Sequence, residues 1–381
     1  MSELDIERVQ VYAVGPETTR YSWASDMAEQ YMTHNVIRLT TKGGLEGVAA
    51  AASYTDRDFD RSVAETLRPL LPPLIGTSPL DREQLWSRLQ SHNLPAAPQA
   101  LLMIDIAAWD LVAKHAGLPL YQLLGGARSK IPAYASTPML PDAQAYVDFV
   151  GELRSQGYQA VKFHAWCEPD RDLKMARMVH ARHGGQIQMM LDVEQRYDRR
   201  SAYRAAAELE TLGFTWFEAP LLDSDLEGYR DLRTRVNIPI LPAGNWVMDP
   251  SLVWQGIRIG AWTSVRVDAC FAGGISPTRK VMALAEAAGM TCELQCWGYT
   301  LQQAANLHLM LAHPNCTFFE QPIPYPAFEY AMVDTIRPDR DGYVHAPAGA
   351  GLGVRVDWDA LRTATFLAYE QSAAGLRTTT R

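Results

Sequence analysis

Polar residues recur inside otherwise apolar runs of this chain. They are Lys162 and His164 in VKFHAW, Asp192 and Glu194 in MLDVE, Glu218 in WFEAP and Asn245 in ILPAGN. Asp268 in VRVDACF, Gln295 in ELQCWG and Glu320 in TFFEQP follow. From Lys162 onward, successive groups lie 23 to 30 residues apart. Burying a charge is costly unless it is paired or metal-bound, so regular interruption of apolar segments asks for a common purpose. Asp192, Glu218 and Asn245 offer two carboxylates and an amide oxygen. Such hard donors suit Mg²⁺ and leave positions open for water and substrate oxygens. The competing explanation is a local hydrogen bond at each strand end. Lys162 and His164 are two residues apart, so on a strand they share a face. A lysine there either pairs with a carboxylate or binds an anionic substrate. An imidazole with an ordinary pKa of about 6.5 suits a base at neutral pH, and the alternative for His164 is a satisfied core histidine.

These residues need a scaffold that brings distant segments to one place. From Lys130 onward, short apolar strands alternate with amphipathic stretches. The strands are IPAYAS (131–136), AVKFHAW (160–166), IQMMLDVE (187–194), TWFEAP (215–220), IPILPAGN (238–245), SVRVDACF (264–271), TCELQCWG (291–298) and TFFEQP (317–322). Segments such as RDLKMARMVHARHG and SAYRAAAELETLG connect them. This βαβ pitch predicts a parallel sheet, and eight repeats predict a closed (β/α)₈ TIM-like barrel. Such a barrel carries its active site at the C-terminal strand ends, where the polar residues recur. An open doubly wound sheet would want a Gly-rich phosphate turn after its first strand, and none is present. The earlier residues read differently. VQVYAV (9–14) and NVIRLTT (35–41) are strand-like, Lys42-Gly43-Gly44 marks a hairpin turn, and helices are predicted around 58–71, 79–91 and 96–115. The last of these is apolar all round, hence buried, and Gly117 with Pro119 ends it.

Composition narrows the function classes. With 48% hydrophobic residues, the 381-residue chain can bury a large core, which excludes a disordered or collagen-like protein. A net charge of −8, with no Lys/Arg block, argues against nucleic-acid binding. No apolar run approaches the roughly 20 residues of a membrane helix, and MSELDIERVQ is too polar for a signal peptide, so a cytoplasmic location is expected. The five cysteines sit in apolar or strand-like runs and read as buried reduced thiols. Cys292 and Cys296 have no companion pair at zinc spacing.

The chain resembles the enolase superfamily and, within it, the mandelate racemase / muconate lactonizing enzyme-like group. IDIAAWDLVAKHAGLPLYQLLGG (104–126) is similar to the end of that group's capping domain, and VKFHAW, MLDVEQRY, WFEAPL, IPILPAGN, VDACFAGGI and QCWG follow in its order. The resemblance implies an α+β capping domain over 1–128, a barrel over 129–350 and a C-terminal segment, 351–381, returning to the cap. It implies one Mg²⁺ that binds a substrate carboxylate, and a base that removes the adjacent proton to give an enediolate. Asp192, Glu218 and Asn245 match the metal ligands; the group usually has Glu third, although its glucarate dehydratases use Asn. Lys162-x-His164 stands where the group has Lys-x-Lys, which makes His164 the base on one face. Lys162 would hold the carboxylate or shift its neighbour's pKa.

Asp268 matches the Asp of the group's opposite-face Asp–His dyad, but Gln295 takes the place of the His. Glutamine cannot accept a proton at neutral pH, so chemistry through that dyad is not expected. Glu320 matches the residue that hydrogen-bonds the enediolate as a neutral acid, and Glu194 is placed to shape the substrate pocket. The resemblance assigns specificity to the loop 18–34, with Tyr21, Trp23 and His34 as substrate-binding candidates beside Tyr31. The expectation is a hydro-lyase dehydrating a small-molecule carboxylate, an aldonate or aldarate. The alternatives are a one-base epimerase or racemase, a lactone cycloisomerase, or a barrel retired from catalysis by loss of the dyad His. Relatives' assemblies imply a homo-oligomer, dimer to octamer.

Overall fold

The computed structural model describes residues 2–16, 34–52, 57–90, 98–245 and 249–380. The cap begins with strands β1 (Ile6–Val14), β2 (His34–Thr41) and β3 (Glu46–Ala52), followed by helices α1 (Arg57–Leu67), α2 (Arg82–Gln90), α3 (Pro98–His115) and α4 (Leu120–Leu123). Helix α3 is buried along most of its length and presses on β3: a Cβ at Gly47 would lie 2.2 Å from the Ala107 carbonyl oxygen. Its buried carboxylates tie the parts together. Asp110 accepts from Val48 N at 2.9 Å, from Lys114 Nζ at 2.8 Å and from Leu352 N at 2.8 Å. Asp105 accepts from the hydroxyl of Ser276 at 2.5 Å and from its backbone N–H at 3.0 Å, linking cap to barrel.

The barrel strands are β4 (Lys130–Ser136), β5 (Ala160–His164), β6 (Gln188–Asp192), β7 (Trp216–Glu218), β8 (Ile240–Leu241), β9 (Ser264–Val267), β10 (Thr291–Leu294) and β11 (Phe319–Pro322). Between them run α5 (Ala143–Ser155), α6 (Pro169–His183), α7 (Arg199–Thr211), α8 (Leu226–Arg233), α9 (Pro250–Ile259), α10 (Ile275–Ala287) and α11 (Thr300–Ala312). The parallel order is β11-β4-β5-β6-β7-β8, with β9 paired to β10. Thr263 N donates to Ile240 O at 3.1 Å and Cys292 N to Asn315 O at 2.7 Å, bridging the two remaining seams.

Side-chain alternation builds the site from below. Tyr134, Ala160, Met190, Trp216, Leu241 and Phe318 form a separate apolar cluster inside the barrel. Two residues further along, the same strand faces present Ser136, Lys162, Asp192, Glu218 and Glu320, since successive inward residues are i and i+2. After β11 the chain forms β12 (Tyr343–His345), which pairs antiparallel with β4, then α12 (Trp358–Ala364), β13 (Thr365–Ser372) and β14 (Gly375–Thr380). Strand β13 pairs with β1, giving a five-stranded cap sheet of order β14-β13-β1-β2-β3. This is the expected (β/α)₈-type barrel with an N-terminal α+β cap that the C-terminal segment completes. Among the described residues, no helix is long and apolar enough to cross a membrane.

Candidate active site

At the C-terminal ends of the barrel strands lies a cavity of about 120 Å³. Lys162, His164, Asp192, Glu194, Glu218, Ala243, Asn245, Phe271, Gln295, Trp297 and Glu320 line it. The backbone at this rim is under strain. Cys167 (φ 59°), Glu194 (50°), Gln195 (64°) and Ala219 (48°) are non-glycine residues in the left-handed region, where the chain leaves β5, β6 and β7. Hydrogen bonds hold them there: Gln195 N donates to Ala219 O at 2.8 Å, and Asp223 N donates to Gln195 Oε1 at 2.9 Å. Asp223 in turn accepts from Ala243 N at 2.8 Å and Asn245 N at 3.0 Å. Between those two residues, Gly244 has φ 72°, and a Cβ there would meet Arg266 O at 2.5 Å. Only glycine lets this turn close down and present Asn245 to the cavity.

Lys162 is the hub of the charged layer. Its ammonium lies 3.0 Å from Asp192 Oδ2, 2.6 Å from Glu218 Oε1 and 2.9 Å from Glu320 Oε1. Burial pushes its pKa down, but Glu218 and then Glu320 outweigh burial and hold the ammonium above its ordinary value. Arg266 is 1% exposed, with Nε 2.8 Å from Glu218 Oε1 and Nη2 3.0 Å from Glu320 Oε2. Asp192 sits well below the ordinary carboxylate range, because Lys162 and His164 together outweigh its burial. Glu218 is pushed up by burial, which Arg266 and Lys162 do not fully offset beside the charges of Asp192 and Glu320.

The partners of His164 fix where its protons sit. Nδ1 lies 2.6 Å from the Thr137 carbonyl oxygen, an acceptor, so Nδ1 carries a hydrogen. Nε2 lies 3.3 Å from both Asp192 Oδ2 and Glu194 Oε1, two more acceptors, so the ring is an imidazolium. Burial and the Lys162 charge act against this. The hydrogen bonds to Asp192 and Glu194 prevail and raise the pKa to about 10. Trp297 packs perpendicular to the ring, with centroids 5.5 Å apart, and Trp297 Nε1 donates to Ser136 Oγ at 2.6 Å.

Eight of the sequence candidates meet here: Lys162, His164, Asp192, Glu194, Glu218, Asn245, Gln295 and Glu320. The Gln295 amide donates to Asn245 Oδ1 at 2.9 Å. Asp268 is not among the lining residues. It is 1% exposed and accepts from Cys270 N at 2.6 Å and Asn306 Nδ2 at 2.7 Å. Nor is His34, which is buried and stacks on Tyr299 with centroids 4.0 Å apart. Tyr21 and Trp23 lie outside the described residues.

The charge state expected of Glu320 is corrected. Its oxygens accept from Ser136 Oγ, Cys296 N and Arg266 Nη2 and face Lys162 Nζ. Lys162 and Arg266 overcome its burial and hold its pKa at about 2, so it is an anion rather than a neutral acid. Sequence reasoning also missed Arg266, Ser136, Trp297 and Asp223. Arg266 carried a signal: it is two residues before Asp268 and so shares its strand face.

The donor set fits a divalent cation. Asp192 and Glu218 stand opposite each other on neighbouring strands, both buried, and their mutual repulsion is what such an ion relieves. Asn245 adds an amide oxygen from the next strand end. The atoms of His164, Asp192 and Glu194 that could also ligate an ion lie within 4.8 Å of one another.

Comparisons with known proteins agree with the architecture. Residues 8–125 match the family model of the mandelate racemase / muconate lactonizing enzyme N-terminal domain, and residues 145–360 match that of the enolase C-terminal domain-like family. A solved structure from Pseudovibrio sp., described as of mandelate racemase/muconate lactonizing enzyme type, is 42% identical, with a TM-score of 0.94 over 96% of this chain and 99% of its own. D-Glucarate dehydratase from Agrobacterium tumefaciens, solved in complex with magnesium, is 28% identical, with a TM-score of 0.82 over 96% of this chain and 100% of its own. D-Galactarolactone cycloisomerase of Agrobacterium fabrum is 28% identical over 306 residues, 76% of this chain and 81% of the relative. Dehydratases, cycloisomerases, a racemase and an epimerase all occur among the curated relatives.

Proposed function

Because this chain belongs to the mandelate racemase / muconate lactonizing enzyme-like group of the enolase superfamily, we propose that it dehydrates a sugar acid, using His164 as its one proton-transferring base. The observation that carries the reading is the placement of charge around the cavity. Among the lining residues, every ionisable side chain comes from β5, from β6 and the turn that follows it, from β7 and from β11, and the remainder are Ala243, Asn245, Phe271, Gln295 and Trp297. Proton transfer is therefore available from one side.

The chemistry follows from these groups. Asp192, Glu218 and Asn245 would hold a Mg²⁺, which supplies positive charge to the substrate carboxylate and takes up the Asp192 charge that otherwise keeps a proton on His164. With Nε2 free, His164 takes the proton from the carbon next to the carboxylate, and the electron pair moves into an enediolate. Collapse of the enediolate expels the β-hydroxyl on the same side, and His164 returns its proton to that group, which leaves as water. The enol product then becomes a 2-keto-3-deoxy acid. Lys162 and the Glu320 anion keep the carboxylates in register, and Trp297 keeps water from the His164 ring.

A second reading, lactone cycloisomerase, is favoured by the similarity to D-galactarolactone cycloisomerase and also needs only one base. Proton NMR of aldonates, aldarates and their lactones incubated with protein and Mg²⁺ in D₂O separates the two. The proposal expects a 2-keto-3-deoxy acid. An isomerised lactone would establish the second reading, and an unchanged panel with metal-replete protein would contradict both.

A further inference from the structure

Strand β9 contributes no charge to the cavity lining, yet it sends one charge beneath the floor. Arg266 does not line the cavity. It lies in the layer of Lys162, and its guanidinium spans from Glu218 Oε1 at 2.8 Å to Glu320 Oε2 at 3.0 Å. Both oxygens of Glu218 are engaged: Oε1 also faces Lys162 Nζ at 2.6 Å, and Oε2 accepts from Trp216 Nε1 at 3.0 Å. Arg266 Nε and Nη1 are both buried without a hydrogen-bond partner, so the guanidinium is held against Glu218 by charge rather than by a full donor set. Around the site stand four carboxylates, Asp192, Glu194, Glu218 and Glu320, against the two fixed cations Lys162 and Arg266.

We infer that Arg266 is a positioning residue that competes with the metal for Glu218 and thereby sets the affinity of the site for a divalent cation. The inference rests on the metal reading above. In the metal-free protein Arg266 fastens Glu218 and Glu320 together, and it is the guanidinium that must yield part of Glu218 when an ion enters. Removing its charge leaves the site one unit more negative and releases one of the two cations on Glu218 Oε1. Both changes favour the ion.

Free Mn²⁺ measured by electron paramagnetic resonance during titration tests this without any substrate. Arg266→Gln keeps a hydrogen-bonding side chain without the charge, and Arg266→Met removes both. Each is expected to bind Mn²⁺ at least about tenfold more tightly than the wild type. Arg266→Lys keeps the charge and is expected to stay within about threefold. Equal or weaker binding by the folded Gln variant overturns the inference while leaving the metal reading intact. A wild type that binds no Mn²⁺ at millimolar concentration overturns the metal reading. In that case tight binding appearing in the Gln variant still supports the role of Arg266, and its absence contradicts it.

Discussion

The two halves of the barrel mouth are built alike and furnished differently. One half, from β11 through β5 and β6 to β7, lines the cavity with Glu320, Lys162, His164, Asp192, Glu194 and Glu218. The other, from the ends of β8, β9 and β10, lines it with Ala243, Asn245, Phe271, Gln295 and Trp297. Both halves use the same device, alternation along short parallel strands, so the fold does not impose the difference. It lies in the side chains, as expected where function is grafted onto a common scaffold. The charged half can move a proton and, with Asn245 from the other half, hold a cation. The neutral half can shape the space and orient oxygens; behind it, Asp223 is taken up by the backbone N–H groups of Ala243 and Asn245, and Asp268 is turned into the protein by Cys270 and Asn306.

The contrast breaks most visibly at His164. His164→Asn should lower turnover by about 10²–10⁴-fold, the usual contribution of a general base, in a steady-state assay of the dehydration. A smaller loss would mean that the proton leaves by another route. On the neutral half, Gln295→Leu removes the amide that donates to Asn245 Oδ1 at 2.9 Å. A hydrogen bond of this kind is worth about 1 kcal/mol, so kcat/KM should fall by less than about tenfold. A loss beyond about 100-fold would place this wall in the chemistry.

The smallest effect concerns Asp268, whose pKa burial raises to about 6 from 3.8, against the hydrogen bonds of Asn306 and Cys270. A raised folded-state value means that the native protein binds this proton more tightly than the unfolded chain. The stabilisation is complete below pH 3.8 and is lost as the pH rises through about 6. Wild type should therefore lose up to about 3 kcal/mol more stability than Asp268→Asn between pH 4 and pH 7 in urea denaturation. The two pH–rate profiles should run parallel. Different profiles would make Asp268 a participant after all.

Much of this contrast was legible in the sequence, for a physical reason. Most barrel strands are apolar runs cut off by a polar residue where the inward face meets the cavity; Asp268 of VRVDACF is the exception among the candidates. Seven of the eight strands, from VKFHAW to TFFEQP, therefore appear together with their polar residues. The partners across the barrel were not legible, because they depend on which strands face each other. Glu320 reads as a neutral acid until Arg266, 54 positions away in the chain, is seen against its Oε2 atom. His34 lies beside an aromatic-rich loop in sequence, yet it stacks on Tyr299 away from the cavity, an orientation no local pattern encodes. Strand β14, GLRTTT, is exposed throughout and carries no apolar alternation. It joins the cap sheet through pairing with β13, from Leu367 opposite Thr380 to Ser372 opposite Gly375.

The most direct test of one-sided proton transfer is the fate of the proton next to the carboxylate in D₂O. Proton NMR of a turned-over sugar acid should show its exchange or loss with wild type and Mg²⁺, no epimer of the starting acid at any time, and neither exchange nor loss with His164→Asn. Accumulation of the epimer, or undiminished exchange in the His164→Asn protein, would show that a second group moves the proton and would contradict the account.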